Sequence, residues 1–239
     1  MAAVWARSRI RTFLVLVALA LPSQAQALTL TYTVEDALGP VGSGSATSPS
    51  TSLLDTNGAF TLFMNSPGSG DPLQLNFNAS NTSPRPQTYV LTVSLPIAPT
   101  SFSAGSLAAA SGLTLSDGNS PPDGAALSSS GGAPVFQATI GGTPVADLFP
   151  SPYSLSCSSN GLLACNAVDS TSITVPTLPT LPEATSRGIT YRFELAAGDS
   201  VAGTGTAAAL AVPEPSQGML FLIGGSFLTL RRRARTSTG

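Results

Sequence analysis

The sequence predicts an all-β fold, and within that class an antiparallel β-sandwich of the jelly-roll kind, for the central part of the chain. First, several segments alternate between apolar and polar residues with a period of two, as half-buried strands do. Second, clusters of Gly, Pro, Asn and Asp, which favour turns, separate these segments. Third, no long stretch carries the apolar spacing of an amphipathic helix. Short strands joined by turns are typical of two packed antiparallel sheets.

Five segments show the strand pattern most clearly, and the last of them is the cleanest. In that segment Ile189, Tyr191 and Phe193 are expected to face the core, while Thr190 and Arg192 face solvent. The five are 28–34, 60–64, 73–78, 88–95 and 189–195, and the shorter candidates are 113–115, 135–140, 153–157, 173–175 and 207–212. The tyrosines of this central part, Tyr32, Tyr89, Tyr153 and Tyr191, all fall on inward positions.

Three stretches are predicted to be loops or poorly ordered: 39–52, 101–110 together with 116–133, and 177–186. They consist mainly of Gly, Ser, Ala and Pro, which bury little apolar surface against the entropy lost on ordering. The alanines at 108–110 leave a short helical turn open.

The residue types that are missing exclude most catalytic classes. The chain has 239 residues and contains neither histidine nor lysine. A Ser-His-Asp triad, a Schiff-base lysine, a P-loop lysine and a His-liganded zinc site are therefore all excluded. Carboxylate chemistry or no chemistry remains. We expect a protein that is not an enzyme and that holds no cofactor and no metal.

Charge is distributed unevenly along the chain. Residues 28–212 contain three arginines (Arg85, Arg187 and Arg192) against eleven Asp and Glu, so that their net charge is 3 − 11 = −8. A nucleic-acid partner is therefore not expected. The remaining polar residues of this part are mostly Ser, Thr and Asn, which predicts an uncharged polar surface.

The first 27 residues have the pattern of a secretory signal peptide with a signal helix. Arginines at 7, 9 and 11 precede a nine-residue apolar core at 13–21, and Pro22 ends it. Ala25 and Ala27 form a small-x-small cleavage site, so the mature chain is expected to begin at Leu28. Nine helical residues rise only about 14 Å, which is too short for a membrane anchor. The expected partners are the export translocon and signal peptidase.

The last 28 residues, 212–239, have the pattern of a second targeting signal, after the signal peptide. Val212, Pro213, Glu214 and Pro215 make a stiff, extended segment, because each proline fixes its own φ and restricts the residue before it. A short transmembrane helix is expected at 216–230, about 22 Å long. Its apolar residues are Met219, Leu220, Phe221, Leu222, Ile223, Phe227, Leu228 and Leu230, and the basic residues that follow are Arg231, Arg232, Arg233 and Arg235. The positive-inside rule keeps those arginines in the cytoplasm and leaves 28–211 outside.

This order of elements resembles the PEP-CTERM sorting signal of Gram-negative bacteria, which is also catalogued as an ice-binding protein C-terminal domain. The resemblance covers only residues 212–239. It implies that an exosortase-like membrane protease removes the tail, that the precursor is anchored transiently in the inner membrane, and that the protein then reaches the cell surface or extracellular matrix. It also implies an association with exopolysaccharide and biofilm. A plain membrane anchor is the alternative.

The two cysteines, Cys157 and Cys165, are predicted to form a disulfide. An exported chain meets an oxidising compartment, and an eight-residue separation differs from the C-x-x-C spacing of reactive thiol pairs.

Several polar motifs are candidate sites. Residues 53–58 resemble half of an aspartic-protease loop, but a turn is favoured. Glycoside hydrolysis could draw two carboxylates from Glu35, Asp36, Glu183 and Glu194. Residues 117–124 offer oxygen ligands for Ca²⁺ but favour two turns. Hydroxyl arrays could be formed by Thr29, Thr31 and Thr33 and by Thr88 and Thr92, and glycosylation sequons begin at Asn78 and Asn81.

The sequence therefore favours an exported, non-enzymatic surface or matrix protein. The first alternative is a carbohydrate-binding or adhesive β-sandwich module, and the second is a carboxylate-only hydrolase that acts on polysaccharide.

Overall fold

A computed structural model describes residues 27–48, 51–67, 71–102, 105–119, 121–161, 163–178 and 181–211. These residues form two antiparallel β-sheets and contain no helix, so the all-β prediction is confirmed. None of the described residues belongs to a helix that could cross a membrane. The predicted signal helix and the predicted tail, 212–239, lie outside the described residues.

Fourteen strands make up the two sheets within these ranges. The larger sheet contains β1 (Leu28–Asp36), β2 (Gly39–Ser48), β6 (Gln87–Phe102), β8 (Ala125–Ser129), β9 (Phe136–Ile140), β10 (Thr143–Leu148), β11 (Ser154–Cys157) and β13 (Leu181–Leu195). The smaller sheet contains β3 (Thr51–Thr56), β4 (Phe60–Ser66), β5 (Leu73–Asn81), β7 (Gly105–Ser116), β12 (Asn166–Val175) and β14 (Ser200–Ala211).

The order of strands shows how the chain moves between the layers. The larger sheet runs β10-β9-β13-β6-β1-β2, with β8 paired to β13 and β11 paired to β8. The smaller sheet runs β12-β7-β14-β5-β4-β3. From β5 onward the chain crosses repeatedly between the sheets, so the sandwich is built from long-range pairs. The jelly-roll variant stays a prediction.

The inward side chains of both sheets form one core. Phe77 of the smaller sheet packs against Tyr191 of the larger sheet with ring centroids 4.7 Å apart, and Phe193 stacks on Tyr89 at 5.3 Å. Such aromatic pairs stabilise the fold by about 0.5–1.5 kcal/mol each beyond their burial. Tyr32, Tyr89 and Tyr191 are buried as predicted, whereas Tyr153 is only partly buried at the core's edge.

The long alternating segments are strands, and their burial alternates as the sequence predicts. In β1 every second residue from Leu28 to Val34 is buried, and β4 and β5 repeat the pattern. The shorter candidates also lie in strands: 113–115 in β7, 173–175 in β12 and 207–211 in β14, while β9 and β11 cover most of 135–140 and 153–157.

The loop predictions are wrong over much of their length. Strand β2 occupies 39–48, β6 and β7 include most of 101–110, β8 lies within 116–133, and β13 begins inside 177–186. The helical turn considered at 108–110 is also wrong, since these alanines are in β7. Small residues form strands here because the larger rings of the core lie against them. A Cβ on Gly44 would come within 2.6 Å of the Tyr32 ring, and one on Gly42 within 2.7 Å of the Phe60 ring.

The disulfide between Cys157 and Cys165 is present, with an S–S distance of 2.05 Å. It joins the end of β11 to the segment before β12 and lies at one end of the sandwich. The Cys165 carbonyl accepts a hydrogen bond from the Asp117 N–H at 3.1 Å, so the disulfide loop is attached to the end of β7.

Candidate functional site

The outward surface of the smaller sheet, called here the smaller-sheet face, is uncharged and extends over six strands. Its side chains come from all six strands: Ser52, Leu54, Thr56, Thr61, Phe63, Asn65, Gln74, Asn76, Asn78, Ser80, Ser106, Ala108, Ala110, Gly112, Thr114, Ser116, Asn166, Val168, Ser170, Ser172, Thr174, Ser200, Ala202, Thr204, Thr206 and Ala208. None of these residues carries a charge.

An exposed phenylalanine lies beside three side-chain amides on this face. Phe63 is 40% exposed and lies directly opposite Asn78 in the β4–β5 pair, while the next outward pair is Asn65 and Asn76. The Gln74 side-chain amide donates a hydrogen bond to the Asn76 side-chain oxygen at 3.1 Å, which orients the Asn76 amide. Side chains directly opposite each other in antiparallel strands have Cβ atoms about 4.5–5.5 Å apart. The ring and the amides therefore form one compact group.

Two open depressions lie on the same face, farther toward β7. Their volumes are about 440 Å³ and about 350 Å³, and they share Gly112, Ser170 and Thr204 in their lining. They form because Ala110 and Gly112 of β7 have little or no side chain, while β12 and β14 on either side present larger residues. Asn76 borders the second depression, so the depressions and the group around Phe63 are continuous.

Sequence reasoning missed Phe63. The pattern of β4 placed Phe60, Leu62 and Met64 inward, and these three are buried as predicted. Phe63 breaks the alternation, since it is an aromatic residue on a strand position that should be polar. This break in the alternation is the sequence signal that could have identified Phe63 as an exposed aromatic residue.

Glu35, Asp36 and Glu194, three of the four acids considered for hydrolysis, do not line a common cleft among the described residues. Glu35 and Glu194 lie on the outward surface of the larger sheet, where both are paired with Thr88 from opposite sides, and both are exposed. Asp36 lies at the end of β1, and its carboxylate accepts the Leu38 N–H at 2.7 Å. Glu183 belongs to β13, but its side chain lies outside the described residues.

Residues 53–56 of the segment that resembles half of an aspartic-protease loop lie in β3, and the favoured turn follows them. The Asn57 side-chain oxygen accepts the N–H groups of Ala59 and Phe60, which closes the turn before β4. The Asp55 carboxylate accepts a hydrogen bond from the Tyr32 hydroxyl and so joins β3 to β1 across the sheets. Burial, aided by this hydrogen bond, raises the pKa of Tyr32 to about 12.

The segment 117–124 also forms turns. The two Asp117 oxygens accept the N–H groups of Asn119 and Gly124 at 3.0 and 2.9 Å. Nearby, Asp199 is 1% exposed, and one of its oxygens accepts the Ala126 N–H at 2.9 Å. Burial raises the pKa of Asp199 to about 6, and the carboxylates of Asp117 and Asp123 contribute. In the part of the chain that the structure describes, no three His, Cys, Asp or Glu side chains are grouped so as to hold a metal ion.

The threonines considered as an array share the outward surface of the larger sheet. Thr31 lies opposite Thr92, and the Thr92 hydroxyl is 3.2 Å from that of Thr190. Of the two sequon asparagines, Asn78 is exposed, whereas Asn81 is 1% exposed and donates to backbone carbonyls at 195 and 196. Asn81 is therefore structural.

Most of the predicted site residues at the two ends of the sequence lie outside the residues that the structure describes. Leu28 is the first residue of β1 and is fully buried. Ala25, the Pro-Glu-Pro segment, the predicted membrane helix and the basic residues lie outside the described residues.

Comparisons with known proteins assign no family. No protein-family model and no curated protein matches the chain. Among solved structures, TmCBM61 in complex with β-1,4-galactotriose is 12% identical, with a TM-score of 0.28, over 69% of this chain and 90% of that one. The module CBM6cm-2 from Cellvibrio mixtus lichenase 5A, in complex with cellotriose, is 13% identical, with a TM-score of 0.22, over 67% and 87%. The CBM22-1 xylan-binding domain from Paenibacillus barcinonensis Xyn10C is 10% identical, with a TM-score of 0.24, over 67% and 87%. These scores are too low to identify a relative.

Proposed function

We propose that residues 28–211 form a carbohydrate-binding module without catalytic activity, and that the smaller-sheet face is its binding site. The observation that carries this proposal is the exposed Phe63 ring beside the amides of Asn76 and Asn78 on an uncharged face. The C–H face of a sugar ring is apolar and packs on an aromatic ring, while its hydroxyls need both donors and acceptors. An asparagine side chain supplies both.

The residue types that the sequence lacks support a binding role. Histidine and lysine are missing from the whole sequence, and the exposed pair Glu35 and Glu194 lies on an open sheet surface.

The two ends of the sequence support a location outside the cell. We propose that the signal peptide directs export, that the tail holds the precursor briefly in the inner membrane, and that an exosortase-like protease then releases the protein. The mature protein is placed at the cell surface or in the matrix, where exopolysaccharide is the available ligand. This part of the proposal is supported by the sequence of residues 1–27 and 212–239 alone.

Glycan binding by the mature protein, purified from the surface fraction of its own cells, tests the proposed site. Phe63→Ala is expected to weaken binding to the cells' own polysaccharide about tenfold, because it removes a stacking contact of about 1–1.5 kcal/mol. Asn78→Ala is expected to weaken it as well, since it removes a donor and an acceptor. Affinity is measured by calorimetry or on a glycan array.

Thr31→Ala is the matched control, since Thr31 is exposed on the opposite surface of the sandwich. Binding that is unchanged by Phe63→Ala and Asn78→Ala would remove the smaller-sheet face as the site. A wild-type protein that binds no glycan would overturn the proposed function itself.

A further inference from the structure

The positions of the charged side chains restrict what the smaller-sheet face can bind. Glu35, Asp147, Arg192 and Glu194 project from the larger sheet. Others lie in turns or at the ends of the sandwich: Asp36, Asp71, Arg85, Asp117, Asp123 and Asp199. Arg187 is paired with Asp71 at 2.9 Å. Among the described residues, therefore, no cation projects from the smaller-sheet face.

Two carboxylates lie near the rims of this face and are already engaged. Asp55 accepts from Tyr32 at the β3 edge. Asp169, which borders the second depression, accepts from the Tyr153 hydroxyl at 2.9 Å and from the Ser170 N–H at 2.7 Å. Both carboxylates lie on inward positions of their strands, opposite the buried Leu62 and Leu113, so they do not project from the face. An acidic sugar placed on the face would meet no compensating positive charge of the described residues.

The distance between the two parts of the face restricts the length of the ligand. Phe63 is on β4 and Gly112 is on β7, and the strand order places β5 and β14 between them. Three strand spacings of about 4.8 Å each separate Phe63 from Gly112 by roughly 14 Å. Between them the surface carries the small residues Ala202 and Thr204 and the amides of β5. A ligand that touches both parts must lie across the strands.

We propose that the ligand of the smaller-sheet face is an uncharged polysaccharide whose chain crosses the strands from Phe63 to the depressions around Gly112. This inference rests on the proposed function and names its ligand class. Amides and hydroxyls bond the hydroxyls of a neutral chain with no cost of burying an unpaired charge. An acidic polysaccharide would also be repelled by residues 28–211, whose net charge is −8.

The inference gives three measurable expectations for the mature wild-type protein. Neutral polysaccharides bind at least about tenfold more tightly than polymers of uronic acids at low ionic strength. Affinity for neutral oligosaccharides rises with chain length until roughly 14 Å is spanned, so that a monosaccharide binds much more weakly than the polymer. Binding to the neutral polymer changes little with salt, because no ion pair forms.

A charge placed in the middle of the face distinguishes binding at this face from nonspecific binding to the rest of the sandwich. Thr204→Lys puts a cation and a long side chain into the lining of both depressions, between Phe63 and Gly112. It is expected to weaken neutral binding about tenfold or more, and to permit salt-sensitive binding of uronic-acid polymers. Thr31→Lys on the opposite surface controls for the added charge and is expected to leave neutral binding unchanged.

The outcomes distinguish the two levels of the proposal. If uronic-acid polymers bind wild type as tightly as neutral ones, or if a monosaccharide binds as tightly as the polymer, the ligand class is wrong while the carbohydrate-binding function stands. If no glycan of either kind binds, the proposed function fails and the ligand class fails with it.

Discussion

At the scale of single residues, Asp199 is a buried carboxylate whose hydrogen-bonding capacity is only partly satisfied. It is 1% exposed, and one carboxylate oxygen accepts the Ala126 N–H while the other is buried without a hydrogen-bond partner. A buried carboxylate that lacks a partner costs free energy when it is ionised. The sequence could not indicate this, because burial of the turn before β14 depends on its packing against β8.

The raised pKa of Asp199 predicts how stability changes with pH. Its folded-state pKa of about 6 lies above the ordinary value of 3.8, so the folded state binds the proton more tightly. Its contribution to stability is therefore full below about pH 4 and is lost as the pH rises through 6. Asp199→Asn keeps an acceptor for Ala126 and does not ionise. We expect this variant to be more stable than wild type at pH 7 by about 1–3 kcal/mol.

Urea unfolding of the mature protein at intervals from pH 4 to pH 8 measures this effect. Asp147→Asn is the control, because Asp147 is exposed on β10 and its oxygen accepts only from Gln137 at 3.0 Å. If the stability of Asp199→Asn followed the wild-type dependence on pH, the account of Asp199 would be wrong.

At the scale of elements, strand β12 shows how the smaller sheet ends. It pairs with β7 on one side and forms the outer edge of the described sheet. Its exposed Val168 and Ile173 are 72% and 40% accessible, a combination that favours pairing with other chains. Asp169 places a carboxylate in the middle of this edge and accepts the Ser170 N–H. A charge at an edge strand opposes the addition of another strand.

Asp169→Ala is therefore expected to increase self-association. The variant loses the charge, the hydrogen bond from the Ser170 N–H and the hydrogen bond from Tyr153. The edge of β12 is therefore more apolar, and the Ser170 N–H loses its side-chain acceptor. Light scattering over a concentration series would show a mass above that of the wild type. Ser172→Ala, also exposed on β12, should behave as wild type. An Asp169→Ala protein with unchanged mass would show that the edge is protected in another way.

The comparison of sequence with structure is also clearest at this scale. Strands with large alternating side chains, such as β1 and β13, could be predicted because each carries its own apolar face. Strand β2 could not, since its inward Gly42 and Gly44 bury no side chain and are covered by rings from β4 and β1. The same holds in β14, where a Cβ on Gly205 would come within 2.4 Å of the Tyr191 hydroxyl. Long-range contacts supply the apolar surface that the local sequence lacks.

At the scale of the whole molecule, the sandwich followed from the sequence while the candidate site did not. Asn76 and Asn78 could be placed on an outward surface from their alternation with Leu75 and Phe77. Their position opposite Asn65 and Phe63 depends on the register between β4 and β5, which cannot be predicted from the residue pattern of either strand alone. The depressions at Gly112 depend on three strands that are distant in the chain.

The proposed sorting predicts the covalent state of the mature protein. Intact-mass analysis of protein from the surface fraction is expected to give an N-terminus at Leu28 and a C-terminus within 213–216. It is also expected to show the loss of two hydrogens that corresponds to the Cys157–Cys165 bond. Because peptidase cleavage fixes both ends, a single mass reports them together. A mass that still includes residues 231–239 would instead mean a membrane-anchored protein and would remove the exosortase step.

The course of β14 has a consequence for how the molecule would stand on a cell. This strand begins beside Asp199 and ends at Ala211, next to Gly105, so a tether attached after residue 211 leaves from one end of the sandwich. Twelve strand residues then extend away from the tether over roughly 40 Å. If the protein is attached to the cell at this end, as proposed, and its strands point away from the membrane, a glycan that crosses the strands would lie parallel to the cell surface. Several neighbouring molecules could then bind the same polysaccharide chain at once.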